Sequence, residues 1–193
     1  MTDLPDLRPA AEQLATLLEH VADEQLTAPT PCTEYTLGDL IDHVSGLSLA
    51  FTAAAAKDFS LTGGGPSGDA ARLPGDWRTR IPAQLAALAE AWREPAAWDG
   101  MTQAGGIQLP GPVAGAVAMN ELVVHGWDIA KATGQQFRCD AASQAATLEF
   151  VSMAAAEERS SDSPFGPPVE VTPDATPLDK LVSLTGRNPA WQP

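Results

Sequence analysis

The chain has 193 residues, enough for one full domain with a tail but too few for two substantial domains. Its 25 acidic residues against 11 basic ones give a formal net charge of -14, which makes nucleic acids and anionic membrane surfaces unfavourable partners. The sequence contains 34 alanines and 20 leucines but only 10 valines and 4 isoleucines, which favours helices over an extensive sheet. We therefore expect an all-α protein.

The N-terminal sequence has no basic region that leads into an apolar stretch, and the aliphatic runs elsewhere are short. These features predict neither a signal peptide nor a membrane span, and hence a cytoplasmic protein. Cys32 and Cys139 form no C-x-x-C pattern. Their isolation argues against a disulfide scaffold or a cysteine-based zinc site and predicts two reduced thiols.

Apolar residues at helical spacing predict the first two helices. The first runs from Leu7 to about Val21. The second opens at a capping box formed by Thr36 and Asp39 and continues to about Lys57. Residues 58–76 contain the breakers GGG and PSG, which predict a long connection to the next helix.

The rest of the sequence predicts four further helices. A third helix carries Ile81, Leu85, Leu88 and Trp92, and a second long connection leads to a fourth helix that begins at Pro112. Gly134 is placed to cap that helix, and Asp140 is placed as the N-cap of a fifth helix that ends near Glu158. A short last helix ends at Gly186.

The lengths of the connections bear on the topology. Tight up-and-down bundles use short turns, whereas the two long connections predict a bundle with crossover connections. The sequence shows no internal repeat and no domain linker, so residues 1–193 are predicted to form one domain. Its C-terminal segment, from about residue 160 to 193, is rich in proline, and VEV within it predicts a short extended piece. We expect a monomer or a homodimer.

Two predicted helices direct potential metal ligands toward the core. The fourth helix carries Glu121 and His125 four residues apart, in one stripe with Ala114, Ala118 and Ile129. An i, i+4 pair brings its side chains about 5–6 Å apart at Cβ. His43 lies between two leucines on the apolar side of the second helix. The pattern therefore points three potential ligands into one core.

An unpaired inward carboxylate costs several kcal/mol of desolvation, so Glu121 needs a partner. A divalent cation held by two imidazoles and one carboxylate would supply it and keep positions open for water or substrate, as catalytic zinc sites do. Asp128 could be an outer acceptor for His125 or lie on the flank of the helix. A plainer interpretation stays open, in which Glu121 and His125 form an ordinary pair and His43 is a core histidine bonded to a backbone carbonyl.

Other polar and aromatic side chains have plainer interpretations. Arg187 could bind a substrate carboxylate or form a salt bridge at a helix end. Cys32 is expected to act as a small buried residue, because no neighbouring cation in the sequence lowers its thiol pKa. His20 is expected to be solvated, and Trp92 and Trp127 are expected to pack in the core.

Three segments resemble a known family, namely PTPCTEYTLGDLIDHV, NELVVHGWDIAKATGQ and LTGRNPAWQP. In this order they are similar to the signatures of the DinB-like metalloenzyme superfamily, in the branch typified by the N-terminal domain of mycothiol-dependent maleylpyruvate isomerase. The resemblance implies a four-helix bundle in which His43, Glu121 and His125 hold a divalent metal ion. Zinc is the expected ion, with nickel or iron as alternatives. The cosubstrate it implies is mycothiol or a similar thiol.

The chain departs from this family pattern in two ways. It stops after one short helix where the isomerase has a further C-terminal domain, and Tyr35 stands where a tryptophan is expected. We therefore expect a metal-dependent thiol S-transferase or isomerase that acts on a small electrophile. We do not expect the isomerisation of maleylpyruvate itself. Two alternatives remain open. One is a non-catalytic metal-binding or interaction module, and the other is a metal-dependent hydrolase.

Overall fold

The computed structural model describes residues 4–60, 67–156 and 165–193, and these residues are mostly helical. The all-α class that the composition predicts is confirmed. Among the described residues, no helix combines the length and the apolar character that crossing a bilayer requires. The helices are α1 (Arg8–Glu19), α2 (Leu37–Ala55), α3 (Trp77–Ala91), α4 (Gly111–Thr133), α5 (Ala141–Ala156) and α6 (Pro177–Leu184).

The first four helices form a bundle with crossover connections. Helices α1 and α2 each pack against both α3 and α4. The pairs α1 with α2 and α3 with α4 therefore lie diagonally, so the chain crosses the bundle between the members of each pair. This arrangement confirms the predicted topology and places α2 directly against α4. Helix α5 packs on α4, and α6 packs on α5.

Local signals in the sequence set the ends of these helices. At the start of α2, the Thr36 hydroxyl accepts a hydrogen bond from the Asp39 amide (3.3 Å), and the Asp39 carboxylate accepts one from the Thr36 amide (3.0 Å). Gly134 ends α4 with φ +70°, a conformation that glycine adopts without steric cost. The Asp140 carboxylate accepts hydrogen bonds from two amides of the first turn of α5. All three predicted caps are confirmed.

The connection between α3 and α4 is more ordered than the sequence analysis predicts. Gly105 and Gly106 have φ of +57° and +81°, and positive φ at both central residues is the signature of a type I′ hairpin turn. The Thr102 hydroxyl donates to the Ala54 carbonyl (2.6 Å), which attaches the hairpin to the end of α2. The ordered parts are a 3-10 turn (Pro95–Trp98) and an antiparallel hairpin of β1 (Met101–Ala104) and β2 (Ile107–Pro110).

Other predictions differ from the structure in detail. The VEV segment, residues 169–171, forms no strand, although the Val169 amide donates to the Ser183 carbonyl (3.0 Å). Helix α6 ends at Leu184, and the predicted last residue, Gly186, lies in a turn with φ +84°. Residues 157 and 158 of the predicted fifth helix and residues 160–164 of the Pro-rich segment lie outside the described residues.

Tryptophans join the α3–α4 connection to the core. The indole N–H of Trp98 donates to the Trp92 carbonyl (2.8 Å), and that of Trp92 donates to the Phe51 carbonyl (3.0 Å). The Trp98 ring lies directly over Gly115 of α4, where a Cβ would overlap it. Trp92 and Trp127 are both buried, so their predicted packing roles are confirmed.

Candidate metal centre

The structure brings the three predicted ligands together. His43 projects from α2, while Glu121 and His125 lie one turn apart on the facing side of α4. One carboxylate oxygen of Glu121 lies 3.0 Å from Nε2 of His125 and 3.5 Å from Nε2 of His43. The three groups offer ligand atoms that all lie within 4.8 Å of one another, a spacing that could hold a metal ion.

The cluster is buried on its imidazole side and open on its carboxylate side. The side chains of His43 and His125 are each 8% exposed, whereas that of Glu121 is 23% exposed. The two imidazole rings meet edge to face, with 5.0 Å between their centres. Solvent therefore reaches the cluster beside Glu121, which is where a small molecule could approach it.

A buried carboxylate orients His125 from the other side of the ring. Oδ2 of Asp128 lies 3.0 Å from Nδ1 of His125, and the Asp128 side chain is fully buried. Of the two roles that the sequence leaves open for Asp128, the outer acceptor is therefore the observed one. A hydrogen bond from Nδ1 to a carboxylate leaves Nε2, which faces Glu121, as the ligand atom.

The plainer interpretation accounts for only part of this geometry. Glu121 and His125 do form an i, i+4 contact, as that interpretation predicts. Among the described residues, however, the polar partner of His43 is Glu121, from another helix, and not a backbone carbonyl. An ordinary ion pair on α4 does not require a second imidazole from α2.

Arg187 reaches the same group of residues from the C-terminal segment. Its guanidinium contacts Asp128 through Nη2 to Oδ2 (3.1 Å) and Nε to Oδ1 (3.4 Å). The structure therefore shows Arg187 in the salt bridge that the sequence analysis offers as one alternative. His20 lies at the end of α1, exposed, with Nδ1 bonded to the Thr16 carbonyl (2.9 Å), as expected.

Burial and hydrogen bonding act against each other on the charges of the cluster. Burial alone would raise the pKa of Glu121, but the bonds to His125 and His43 outweigh it and hold that pKa well below its usual range. Burial alone would lower the pKa of His125, but Asp128 and Glu121 outweigh it and raise that pKa to about 9. Without metal, the cluster therefore contains a carboxylate and an imidazolium at neutral pH, and a cation would replace the proton.

The donor set fits a divalent cation. Zinc bonds of about 2.0–2.2 Å at tetrahedral angles place neighbouring ligand atoms about 3.3–3.5 Å apart. The two distances from the Glu121 oxygen, 3.0 and 3.5 Å, lie close to this range. Two imidazoles and one carboxylate are also the ligands of known catalytic zinc sites, which keep a further position open. Nickel and iron accept the same ligand types.

Tyr35 is a neighbour of the cluster that the sequence analysis does not place there. Its ring lies 5.4 Å from that of His43, between centres. The position of Tyr35 immediately before the capping box of α2 is a signal that could have indicated this, because residues there pack near the first turns of the helix.

The two cysteines are not activated. Burial raises the pKa of the Cys32 thiol to about 11 and that of Cys139 to about 12.

A family model described as the mycothiol maleylpyruvate isomerase N-terminal domain matches residues 7–130. The chain belongs to this family. The matched region contains Glu121, both clustered histidines and Asp128, but it ends before Arg187. Membership confirms the resemblance, and the match contains the first of the three sequence segments and most of the second, while the third lies beyond it.

Two relatives and two solved structures are similar to this chain. Two proteins of Mycobacterium tuberculosis, each described as uncharacterized, are 31% identical over 182 residues, which cover 92% of this chain and 93% of theirs. The crystal structure of the mycothiol-dependent maleylpyruvate isomerase superposes with a TM-score of 0.54 at 16% identity, over 77% of this chain and 66% of that one. A histidine-to-alanine mutant of the isomerase gives a TM-score of 0.53 at 14% identity. These similarities show the shared fold, and the chain spans just under two thirds of the isomerase's length.

Proposed function

We propose that this protein is a divalent-metal enzyme that activates a low-molecular-weight thiol, mycothiol or a related one, for reaction with a small electrophile. The observation that carries the proposal is the convergence of His43, Glu121 and His125 on one point that is open to solvent beside Glu121. Membership of a mycothiol-dependent family supports the thiol. Zinc is the proposed ion, and the cytoplasm is the proposed compartment because thiols are kept reduced there.

The cation would lower the pKa of a thiol bound to it from about 8.5, so that the nucleophilic thiolate predominates near neutral pH. The protein's own residues preorganise the metal site. His43 and His125 present Nε2 atoms toward Glu121, whose carboxylate brings negative charge to the point where a cation would sit. Asp128 keeps the His125 ring in the orientation that exposes Nε2.

The nucleophile is expected to come from the bound thiol rather than from the protein. The pKa values of Cys32 and Cys139, about 11 and about 12, keep both protein thiols protonated at neutral pH. In S-transfer, the thiolate would form a carbon–sulfur bond while the leaving group departs with its electron pair. In isomerisation, the thiolate would add to a cis double bond, the new single bond would rotate, and the thiolate would leave again.

Metal binding tests the ligand set directly. We expect about one zinc ion per chain in the wild type, by elemental analysis after dialysis, and loss of that ion in His43→Ala, Glu121→Ala and His125→Ala. His20→Ala is the matched control, because it removes an exposed imidazole outside the cluster and should keep the full ion. Full retention of zinc by two of the three cluster variants would contradict the proposed ligands.

Turnover tests the proposed chemistry. The zinc-loaded protein should consume mycothiol in the presence of an electrophile from a broad panel, or isomerise a cis alkene acid only when mycothiol is present. Mass spectrometry of the products would distinguish the two reactions. Metal binding without turnover would favour a binding module, and turnover without added thiol would favour a hydrolase that uses water as its nucleophile.

A further inference from the structure

The last part of the C-terminal segment, residues 185–191, packs beside the cluster through Arg187. It lies outside the region matched by the family model. The Lys131 ammonium of α4 donates to the Pro189 carbonyl (2.9 Å), which attaches the segment to α4. The chain enters the segment through Gly186, whose φ of +84° favours glycine. Arg187 is fixed within the segment, since its amide donates to the Val182 carbonyl (3.1 Å) and its Nη1 to the Thr185 carbonyl (3.1 Å).

Asp128 connects this segment to the cluster. Oδ2 of Asp128 contacts Nδ1 of His125 (3.0 Å) and Nη2 of Arg187 (3.1 Å), and its other oxygen lies 3.4 Å from Nε of Arg187. A fully buried carboxylate is stable only when its charge and its lone pairs have partners. The planar guanidinium approaches both oxygens at once, which fixes the rotation of the carboxylate as well as neutralising it.

We propose that Asp128 and Arg187 are positioning residues of the metal centre, and that the packed C-terminal segment sets its metal affinity. Arg187 fixes Asp128, Asp128 fixes the ring of His125, and the ring presents Nε2 toward the other ligands. This inference rests on the proposed function. Outer partners of metal-bound histidines contribute about 10- to 100-fold to metal affinity, so a contribution of this size is expected here.

The test is the dissociation constant for Co²⁺ and for Zn²⁺, measured by chelator competition on the full chain. We expect Asp128→Asn and Arg187→Met each to weaken binding by about 10- to 100-fold. Both variants should also shift the visible absorption bands of bound Co²⁺, because His125 is less well oriented. Lys180→Met is the matched control, since it removes a cation of the C-terminal region whose ammonium contacts the Pro173 carbonyl (3.0 Å), and it should leave affinity unchanged.

The double variant tests whether Arg187 acts through Asp128. If it does, Asp128→Asn with Arg187→Met should bind metal no more weakly than the worse single variant, because the two residues share one effect. Additive losses would overturn the proposal, as would wild-type affinity with an unchanged cobalt spectrum in Arg187→Met.

A second variant covers a failure of Arg187→Met to fold, which thermal unfolding of the metal-free protein would reveal. Arg187→Lys keeps the charge but loses the two-point contact, so we expect a smaller but measurable weakening, and full wild-type affinity would overturn the proposal. Failure of the proposed metal site would look different. In that case the wild type would bind no ion, or His43→Ala would bind it as tightly as the wild type does.

Discussion

The imidazole of His125 has a carboxylate on each nitrogen, Asp128 at Nδ1 and Glu121 at Nε2. These two acids raise its pKa from about 6.5 to about 9 in the metal-free protein, against the opposing effect of burial. A group whose pKa is higher in the folded than in the unfolded state stabilises the fold through its proton. For His125 this stabilisation is complete below about pH 6.5 and disappears as the pH rises through about 9.

We therefore expect the metal-free protein to lose free energy of unfolding between about pH 6.5 and pH 9, measured by urea unfolding after treatment with a chelator. His125→Gln should show a flatter dependence over the same interval, because glutamine carries no titrating proton. Zinc should bind more tightly as the pH rises across this interval, since it must displace the proton. Parallel stability curves for the two proteins would contradict the assignment of the proton to His125.

Gly46 of α2 and Gly115 of α4 are helical glycines with opposite surroundings. Gly46 is exposed, and a Cβ built there would meet no atom within 4 Å. Gly115 is buried, and a Cβ there would overlap the Trp98 ring and lie 2.9 Å from the Trp92 ring. Alanine is the better helix former at both positions, so packing alone decides the difference between them.

Gly46→Ala should stabilise the protein by about 0.5–1 kcal/mol, since it restricts the unfolded chain and costs nothing in the helix. Gly115→Ala should destabilise it by about 1–3 kcal/mol, because the packed tryptophans must move. Chemical denaturation of the two variants beside the wild type would measure both effects. Stabilisation by Gly115→Ala would contradict the close packing of Trp98 on α4, and destabilisation by Gly46→Ala would contradict the open surroundings of Gly46.

At the level of elements, the sequence predicts those features whose cause is local. The capping box of Thr36 and Asp39 and the terminal Gly134 depend on neighbouring residues, so their positions could be predicted. The β1–β2 hairpin was missed because its strands are only four residues long and are poor in β-branched residues. The Gly105–Gly106 pair is a hairpin signal in its own right, because adjacent glycines readily adopt the positive φ of a type I′ turn.

At the level of the whole molecule, the sequence predicts which side chains face inward but not how they meet. The spacing of Glu121 and His125 indicates a shared stripe, and His43 lies on the apolar side of another helix. The family resemblance then assigns all three to one metal ion. The contact between Arg187 and Asp128 joins residues 59 positions apart. No periodicity in one helix encodes such a contact, because it depends on where the C-terminal segment packs after the bundle has formed.

Helices α2 and α4 contribute His43 and Glu121 from positions 78 residues apart in the chain. An ion shared by the two helices would act as a reversible cross-link that closes a long loop. It would stabilise the native state, because only that state presents the three ligands together. The protein's resistance to proteolysis would then follow the supply of the ion. In a cell short of the ion, more of the chain would be in a less compact form that proteases degrade faster, even before a loss of enzymatic activity became measurable.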